Sequence, residues 1–365
     1  MLNALEFFHY SCRFQNHLFV LSLEKGIALR NIINDLRVLN AAQIRCIIVV
    51  WNYSELQSEL REWTDRGCPF EYRDFSGSDT IDSQQVKDII ASYETGRIPV
   101  IGIDSPVTEE MENRYMDRFS MKLVQYFVVD KVFFLSRHDG LYIDNRFISH
   151  LTPQEAQNWL EKAEIFNIDK KRLLSFIQGN LENGFEIVLL KGQSGSLFQE
   201  IFTHKGEGTL LTSDYPNVIR RGLISDVSDI EMLLKPYMRS GSILTVTEDA
   251  IAREVTEYYI YTVNNSIVAI GKLTDHDKAF ELAKFCTLPR YQGKGRAREL
   301  AVEMIKTARE ADKEYIFALT VEPKMIDFFE SLGFVECDRN ILPRQWRQSY
   351  DMNRPSKAFR LNIEK

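Results

Sequence analysis

The run Leu288-Pro289-Arg290-Tyr291-Gln292-Gly293-Lys294-Gly295-Arg296-Ala297 joins an apolar, strand-like stretch to a strongly amphipathic helical pattern. Gly293 and Gly295 remove side chains where the backbone has to approach a ligand. A helix opening at Ala297 aims free N–H groups and a positive dipole end at the same spot. The run therefore reads as a pyrophosphate cradle. In the helix that follows, Leu300, Ala301, Met304, Ile305 and Ala308 fall at helical spacing, which makes them a core stripe and not a ligand-facing one.

The pattern Gln/Arg-x-x-Gly-x-Gly/Ala is filled by Gln292, Gly295 and Ala297. About thirty residues later comes Phe328-Phe329-Glu330-Ser331-Leu332-Gly333-Phe334. With both pieces present, this part of the chain resembles the GNAT acetyltransferase family. The resemblance implies acetyl-CoA as co-substrate, its pyrophosphate held by the turn Gln292, Gly293, Lys294, Gly295, Arg296 and Ala297, with the Phe328 helix beside the pantetheine arm. It implies no metal or redox cofactor.

A length of 365 residues leaves room for two domains, each with its own core. The segment Met1 to Gln15 mixes Glu6, His9 and Arg13 into its apolar residues and has no small-residue cleavage site. It therefore reads neither as a signal peptide nor as a membrane span, and a cytoplasmic protein without a membrane partner is expected. The five cysteines, Cys12, Cys46, Cys68, Cys286 and Cys337, form no C-x-x-C pair and are expected to be free thiols. A net charge of −7 disfavours a nucleic-acid surface.

Strand-like and helix-like runs alternate at the start of the chain: His17 to Leu23, Leu29 to Ala42, then Ile44 to Trp51. Tyr126 to Leu135 and Ile187 to Lys191 read as further buried strands, the latter entered by a turn at Glu182 to Gly184. This is an α/β pattern with a parallel sheet. Ser213-Asp214-Tyr215-Pro216-Asn217 is polar and proline-interrupted, so domains at 1–213 and 219–365 with a linker at 214–218 are expected. In the second part a helix Ile230 to Met238 precedes strands at Tyr258 to Val263, Ile267 to Leu273 and Glu281 to Leu288. Asn264-Asn265 is a hairpin signal between the first two strands.

Two further stretches narrow the family. Ile341-Leu342-Pro343 followed by Tyr350-Asp351-Met352-Asn353-Arg354-Pro355-Ser356-Lys357 resembles the ending of bacterial N-acetylglutamate synthases. Leu197 to Thr209 is similar to the Glu-Leu-Phe-Thr-x-x-Gly-x-Gly-Thr run that closes their amino-acid-kinase-like domain. Asn34-Asp35-Leu36, Asp139-Gly140 and Leu151 to Ala156 add weaker matches. The resemblance implies a kinase-like parallel-sheet domain followed by a GNAT domain, acetyl transfer to L-glutamate for arginine biosynthesis, and an oligomer interlocked through the aromatic helix Leu5 to Tyr10. Leu23-Glu24-Lys25-Gly26-Ile27 stands where the family has a Gly-Gly phosphate loop, and a side chain there obstructs phosphate. A regulatory or assembly domain that does not phosphorylate is expected. Glu200 occupies the position that receives an effector arginine guanidinium in arginine-sensitive relatives, a pairing carboxylates make well.

For the chemistry, the resemblance puts Glu281, in Phe280-Glu281-Leu282-Ala283-Lys284, at the position from which a carboxylate can take the amine proton. Arg354 and Ser356 match positions that hold the amino-acid acceptor. Tyr350 is a candidate general acid, and Lys284 stands near the acceptor in place of the family's cysteine. One departure bears on the acceptor: Ile243-Leu244 is followed by Thr245-Val246-Thr247-Glu248, where the bacterial synthases carry a second arginine. Two alternatives stay open. One is a GNAT enzyme for another amino acid or small amine, and the other is an inactive arginine-sensing or assembly protein.

Overall fold

Fully apolar runs leave no face of a strand for solvent, and in the computed structural model of the chain such runs lie side by side in buried sheets. The structure describes residues 4–76, 81–104, 109–163, 165–203, 206–213, 218–263, 266–311 and 313–363. It divides into two units, Met1–Ser213 and Asp214–Lys365.

The first unit runs α1 (Ala4–Phe14), β1 (Leu18–Leu23), α2 (Ile33–Ala41), β2 (Arg45–Trp51), α3 (Leu56–Asp65), β3 (Phe70–Asp74), α4 (Ser83–Glu94), β4 (Ile98–Ile103), α5 (Glu109–Val124) and β5 (Lys131–Ser136). It continues through β6 (Leu141–Ile143), β7 (Arg146–Ile148), β8 (His150–Leu151), α6 (Pro153–Lys162), α7 (Lys170–Asn183), β9 (Glu186–Lys191), α8 (Ser196–Phe202) and β10 (Thr209–Leu211). Among the described residues its main sheet has the order β3-β4-β2-β1-β5-β9-β10-β8. The pairs from β3 to β9 are parallel, as expected, but β10 runs antiparallel to β9. Asp82 with Gln85, and Thr152 with Glu155 behind Pro153, form reciprocal caps that start α4 and α6.

Three expected boundaries move. The strand over Tyr126 to Leu135 begins only at Lys131, because Tyr126 and Phe127 still turn off the end of α5 through N–H bonds to Leu123 and Val124 carbonyls. An apolar turn packed on a core looks like a strand to any test of hydrophobicity alone. The helix over Leu29 to Ala42 opens with a tighter turn at Leu29–Ile32 before α2. Glu182 belongs to α7, which Gly184 closes in the left-handed conformation (φ +75°).

The second unit runs β11 (Val218–Arg221), α9 (Val227–Arg239), α10 (Glu248–Arg253), β12 (Tyr258–Val263), β13 (Ser266–His276), β14 (Ala279–Thr287), α11 (Arg296–Glu310), β15 (Tyr315–Thr320), α12 (Pro323–Ser331), β16 (Val335–Cys337), α13 (Arg344–Ser349) and β17 (Lys357–Asn362). The sheet order is β11-β12-β13-β14-β15-β17-β16 among the described residues. All of its pairs are antiparallel except β14 with β15. The expected core stripe of α11 is buried, with Leu300, Ala301, Met304 and Ala308 fully enclosed. Strand β11 starts at Val218. The remainder of the expected linker, 214–217, and the Asn264-Asn265 turn lie outside the described residues, although β12 and β13 pair on either side of that turn. All five cysteines are free. Among the described residues no helix is long and apolar enough to cross a membrane.

Candidate functional site

The run expected to cradle pyrophosphate begins where β14 ends. Gly293 and Gly295 have φ of +75° and +78°, the left-handed region that L side chains rarely adopt. A Cβ at Gly293 would meet no atom within 4 Å, and one at Gly295 only Glu299 Oε1 at 3.8 Å. Conformation, more than crowding by the chain itself, therefore demands glycine here. Gly295 is the N-cap, without a side-chain bond to the helix, so α11 opens at Arg296, one residue before the expected Ala297. Gln292 braces the turn: its amide donates to the Tyr237 hydroxyl at 3.0 Å and the Thr287 carbonyl at 3.1 Å. The Arg296 side chain is buried, its guanidinium 5.0 Å above the Tyr291 ring, so its side chain is packed and not presented to solvent. Lys294 is half-buried beside the glycines.

Strands β14 and β15 pair from Ala279↔Tyr315 to Leu282↔Ala318 and no further, although both continue. Just past that point β14 bulges against β13: Ile270 faces Cys286 and Lys272 faces Ala283, so Gly271 opposes both Lys284 and Phe285. Lys284 takes the strain with φ +58°. The two parallel strands thus splay into a V that leads from the cradle. Phe328 flanks it, its ring 5.7 Å from that of Phe285, while Phe329 is buried against Phe334 and Phe359.

At the V lies a cavity of about 100 Å³ lined by Ser242, Glu281, Lys284, Tyr350, Arg354 and Ser356, among others. All five acceptor-side residues expected from the sequence meet here. Trp346 Nε1 donates to Glu281 Oε1 at 3.3 Å, and His276 Nε2 lies 3.4 Å from Glu281 Oε2. The Tyr350 hydroxyl donates to Ser356 Oγ at 2.8 Å. Arg354 Nη2 donates to the carbonyls of Gly241 (2.7 Å) and Ser242 (3.1 Å), and Lys284 Nζ to that of Leu244 (2.7 Å). Burial, with Lys272 nearby, pushes the Lys284 ammonium down to about 8. Through Lys284, β14 thus reaches the loop that ends in the Ile243-Leu244 pair.

In the first unit, Glu200 is buried and its Oε2 accepts the N–H groups of Glu207 (2.8 Å) and Gly208 (2.9 Å). Part of the carboxylate thus fastens the turn that enters β10. His204 and Lys205 of the same run lie outside the described residues. At the end of β1, Glu24 pairs with Arg172 at 3.2 Å, and Arg172 makes a bidentate pair with buried Asp117 at 2.5 and 3.0 Å. A Cβ on Gly26 would come within 2.9 Å of Arg137 Nη2.

Residues 240–352 match the family model described as an acetyltransferase (GNAT) domain. That segment is a GNAT domain. Similarity to amino-acid acetyltransferases runs over most of the chain: 28% identity over 271 residues with the one from Pasteurella multocida (72% of this chain, 61% of that protein), and 25% over 279 residues with the one from Escherichia coli K12 (74% and 62%). The chain spans about three fifths of the length of these curated relatives. In fold it is similar to N-acetylglutamate synthase from Neisseria gonorrhoeae, solved with coenzyme A and L-arginine, with TM-score 0.60, 18% identity, and coverage of 99% of this chain and 98% of that one. The architecture is accordingly an α/β unit built on a mostly parallel sheet, followed by the GNAT domain.

Within the GNAT domain the sequence reading missed Trp346, His276, Tyr237 and the carbonyls of the 241–244 loop. A signal existed for one of them. Trp346 and Tyr350 are four residues apart, one helical turn, and their rings stack at 4.5 Å. His276 had no local signal, because it reaches Glu281 across the β13–β14 pairing, where Thr274 faces Glu281 and His276 lies two residues further on the same face.

Proposed function

We propose that this chain transfers acetyl from acetyl-CoA to the α-amine of L-glutamate, as an N-acetylglutamate synthase of arginine biosynthesis. The observation that carries this reading is the cavity at the β14–β15 split, where a carboxylate, two cations and four hydroxyls converge beside the glycine turn. Glu281 takes the proton of the acceptor ammonium, directly or through water, and the freed amine attacks the thioester carbonyl. Tyr350 supplies the proton for the departing thiolate. Lys284, Arg354 and Ser356 hold the acceptor's carboxylates. Arg354 and Lys284 now bond neutral carbonyls, and a carboxylate makes the stronger charge-assisted bond, so an acidic acceptor displaces the 241–244 loop from them.

The first unit, in this reading, regulates or assembles and does not phosphorylate. The Glu24–Arg172–Asp117 array at the mouth of β1 puts side chains where a phosphate loop needs open backbone, which supports it. L-Arginine is its proposed effector, in keeping with the arginine bound to the gonococcal synthase. We further propose a cytoplasmic homo-oligomer. Phe8 of α1 is 66% exposed while Phe7 of the same helix packs on Phe198 and Phe202, leaving an aromatic side chain free for another copy.

A second reading, acetylation of another amino acid or small amine, is favoured by the residues after Ile243-Leu244, which provide no arginine. Thiol release from acetyl-CoA, assayed against each amino acid and simple amines, tests both. Turnover with glutamate well above the rest is expected. Preference for an uncharged acceptor would overturn the glutamate assignment, and no thiol release with any acceptor would overturn the enzyme.

A further inference from the structure

We infer that Trp346 and His276 are positioning residues that clamp the two oxygens of Glu281, so that the carboxylate faces the acceptor cavity in one orientation. This rests on Glu281 being the general base.

The indole of Trp346 is 3% exposed and wedged between Phe317, edge-on at 5.7 Å, and Tyr350, stacked at 4.5 Å. Its ring plane is therefore set by packing against Phe317 and against Tyr350, which itself lines the cavity. A buried indole N–H has one proton to give and no lone pair to receive with, and it gives it to Glu281 Oε1. On the other oxygen, His276 is held by the end of β13 and by the Phe317 ring at 5.6 Å. Its Nδ1 is buried and has no partner among the described residues. A buried N–H without an acceptor costs more than an idle lone pair, and a bare Nε2 lone pair would face a carboxylate oxygen. Both considerations put the proton on Nε2, pointing at Glu281 Oε2. Each oxygen thus meets one donor, and each donor sits on a ring that Phe317 contacts. The bonds, at 3.3 and 3.4 Å, occupy one lone pair on each oxygen and leave the other for the incoming ammonium. A base that must meet its proton within hydrogen-bond reach gains rate from such fixing without gaining affinity for substrate.

The test is steady-state kinetics with acetyl-CoA and the preferred acceptor, on the full chain. Trp346→Phe keeps a ring between Phe317 and Tyr350 but removes the N–H, and His276→Phe removes the other donor. Each is expected to lower kcat about tenfold while both KM values stay within about twofold, and His276→Gln, which restores an N–H, should recover most of the loss. In a Glu281→Gln background neither change should cost anything further, because there is no carboxylate left to aim. Losses that multiply with that of Glu281→Gln, or that appear in KM instead of kcat, would mean ordinary packing and overturn the inference. Should Trp346→Phe fail to fold, the His276 pair carries the same comparison. A Glu281→Gln variant with wild-type kcat removes the base and the clamp together. A crippled Glu281→Gln beside unimpaired Trp346→Phe and His276→Phe removes the clamp alone.

Discussion

The Tyr350 hydroxyl gives its proton to Ser356 Oγ at 2.8 Å, so the candidate general acid and a candidate acceptor ligand share one hydrogen bond. Removing either end should have different kinetic effects. Tyr350→Phe removes the proton donor and is expected to lower kcat by about tenfold or more, with acceptor KM little changed. Ser356→Ala takes away an acceptor contact and the partner of the Tyr350 hydroxyl but leaves the proton donor itself in place, and should raise KM several-fold at nearly constant kcat. Initial rates over a grid of acetyl-CoA and acceptor concentrations separate the two, and identical profiles for both variants would contradict the division of roles.

Gly295 stands at φ +78° and caps α11. Gly295→Val puts a β-branched side chain both into a conformation it resists and onto the surface where amides are to meet pyrophosphate. Calorimetric titration of the folded variant with acetyl-CoA should give no measurable binding, and circular dichroism should show the helix content intact. Wild-type affinity would refute the cradle.

Lys284 carries the clearest pH signature. Its ammonium, pushed down to about 8 from an ordinary 10.5, predominates below that value and is lost as pH rises through it. Acceptor KM should therefore climb between pH 7 and 9.5 in the wild type, and stay nearly flat in Lys284→Arg, whose charge persists. The sign for stability is opposite. Between about 8 and 10.5 the unfolded chain holds a proton the folded one has shed, so the Lys284 contribution to stability increases with pH across that window. Urea melts of wild type and Lys284→Met at pH 7.5 and 10 read this out as a wild-type midpoint that rises relative to that of the variant at the higher pH.

For arginine, the bonds from the Glu207 and Gly208 amides to Glu200 mean that Glu200→Ala would loosen a turn as well as delete a charge. Glu200→Gln keeps a carbonyl oxygen for those amides and removes only the charge. Calorimetry should show arginine affinity falling by at least about tenfold in Glu200→Gln, for the loss of a charged, partly desolvated pair. Equal binding by wild type and variant would reduce Glu200 to a fastener of the turn.

What the sequence by itself determined lies within a turn or two of backbone. The glycines of the turn before α11 and the apolar stripe of α11 are each specified by neighbours a few residues away. A local pattern read against local geometry therefore finds them. The acceptor side was legible as residue types, through Glu281, Lys284, Tyr350, Arg354 and Ser356, but not as an arrangement. Only the tertiary structure decided where β14 stops pairing with β15 after Leu282 and Ala318, because that depends on a bulge opposite Gly271 in a third strand. It also decided that Arg354 and Lys284 rest on carbonyls of the 241–244 loop, and that Trp346 and His276 take the two oxygens of Glu281. Hydrogen bonds between residues far apart in sequence depend on how sheets and helices pack, and packing leaves no periodic trace in the chain that would disclose them.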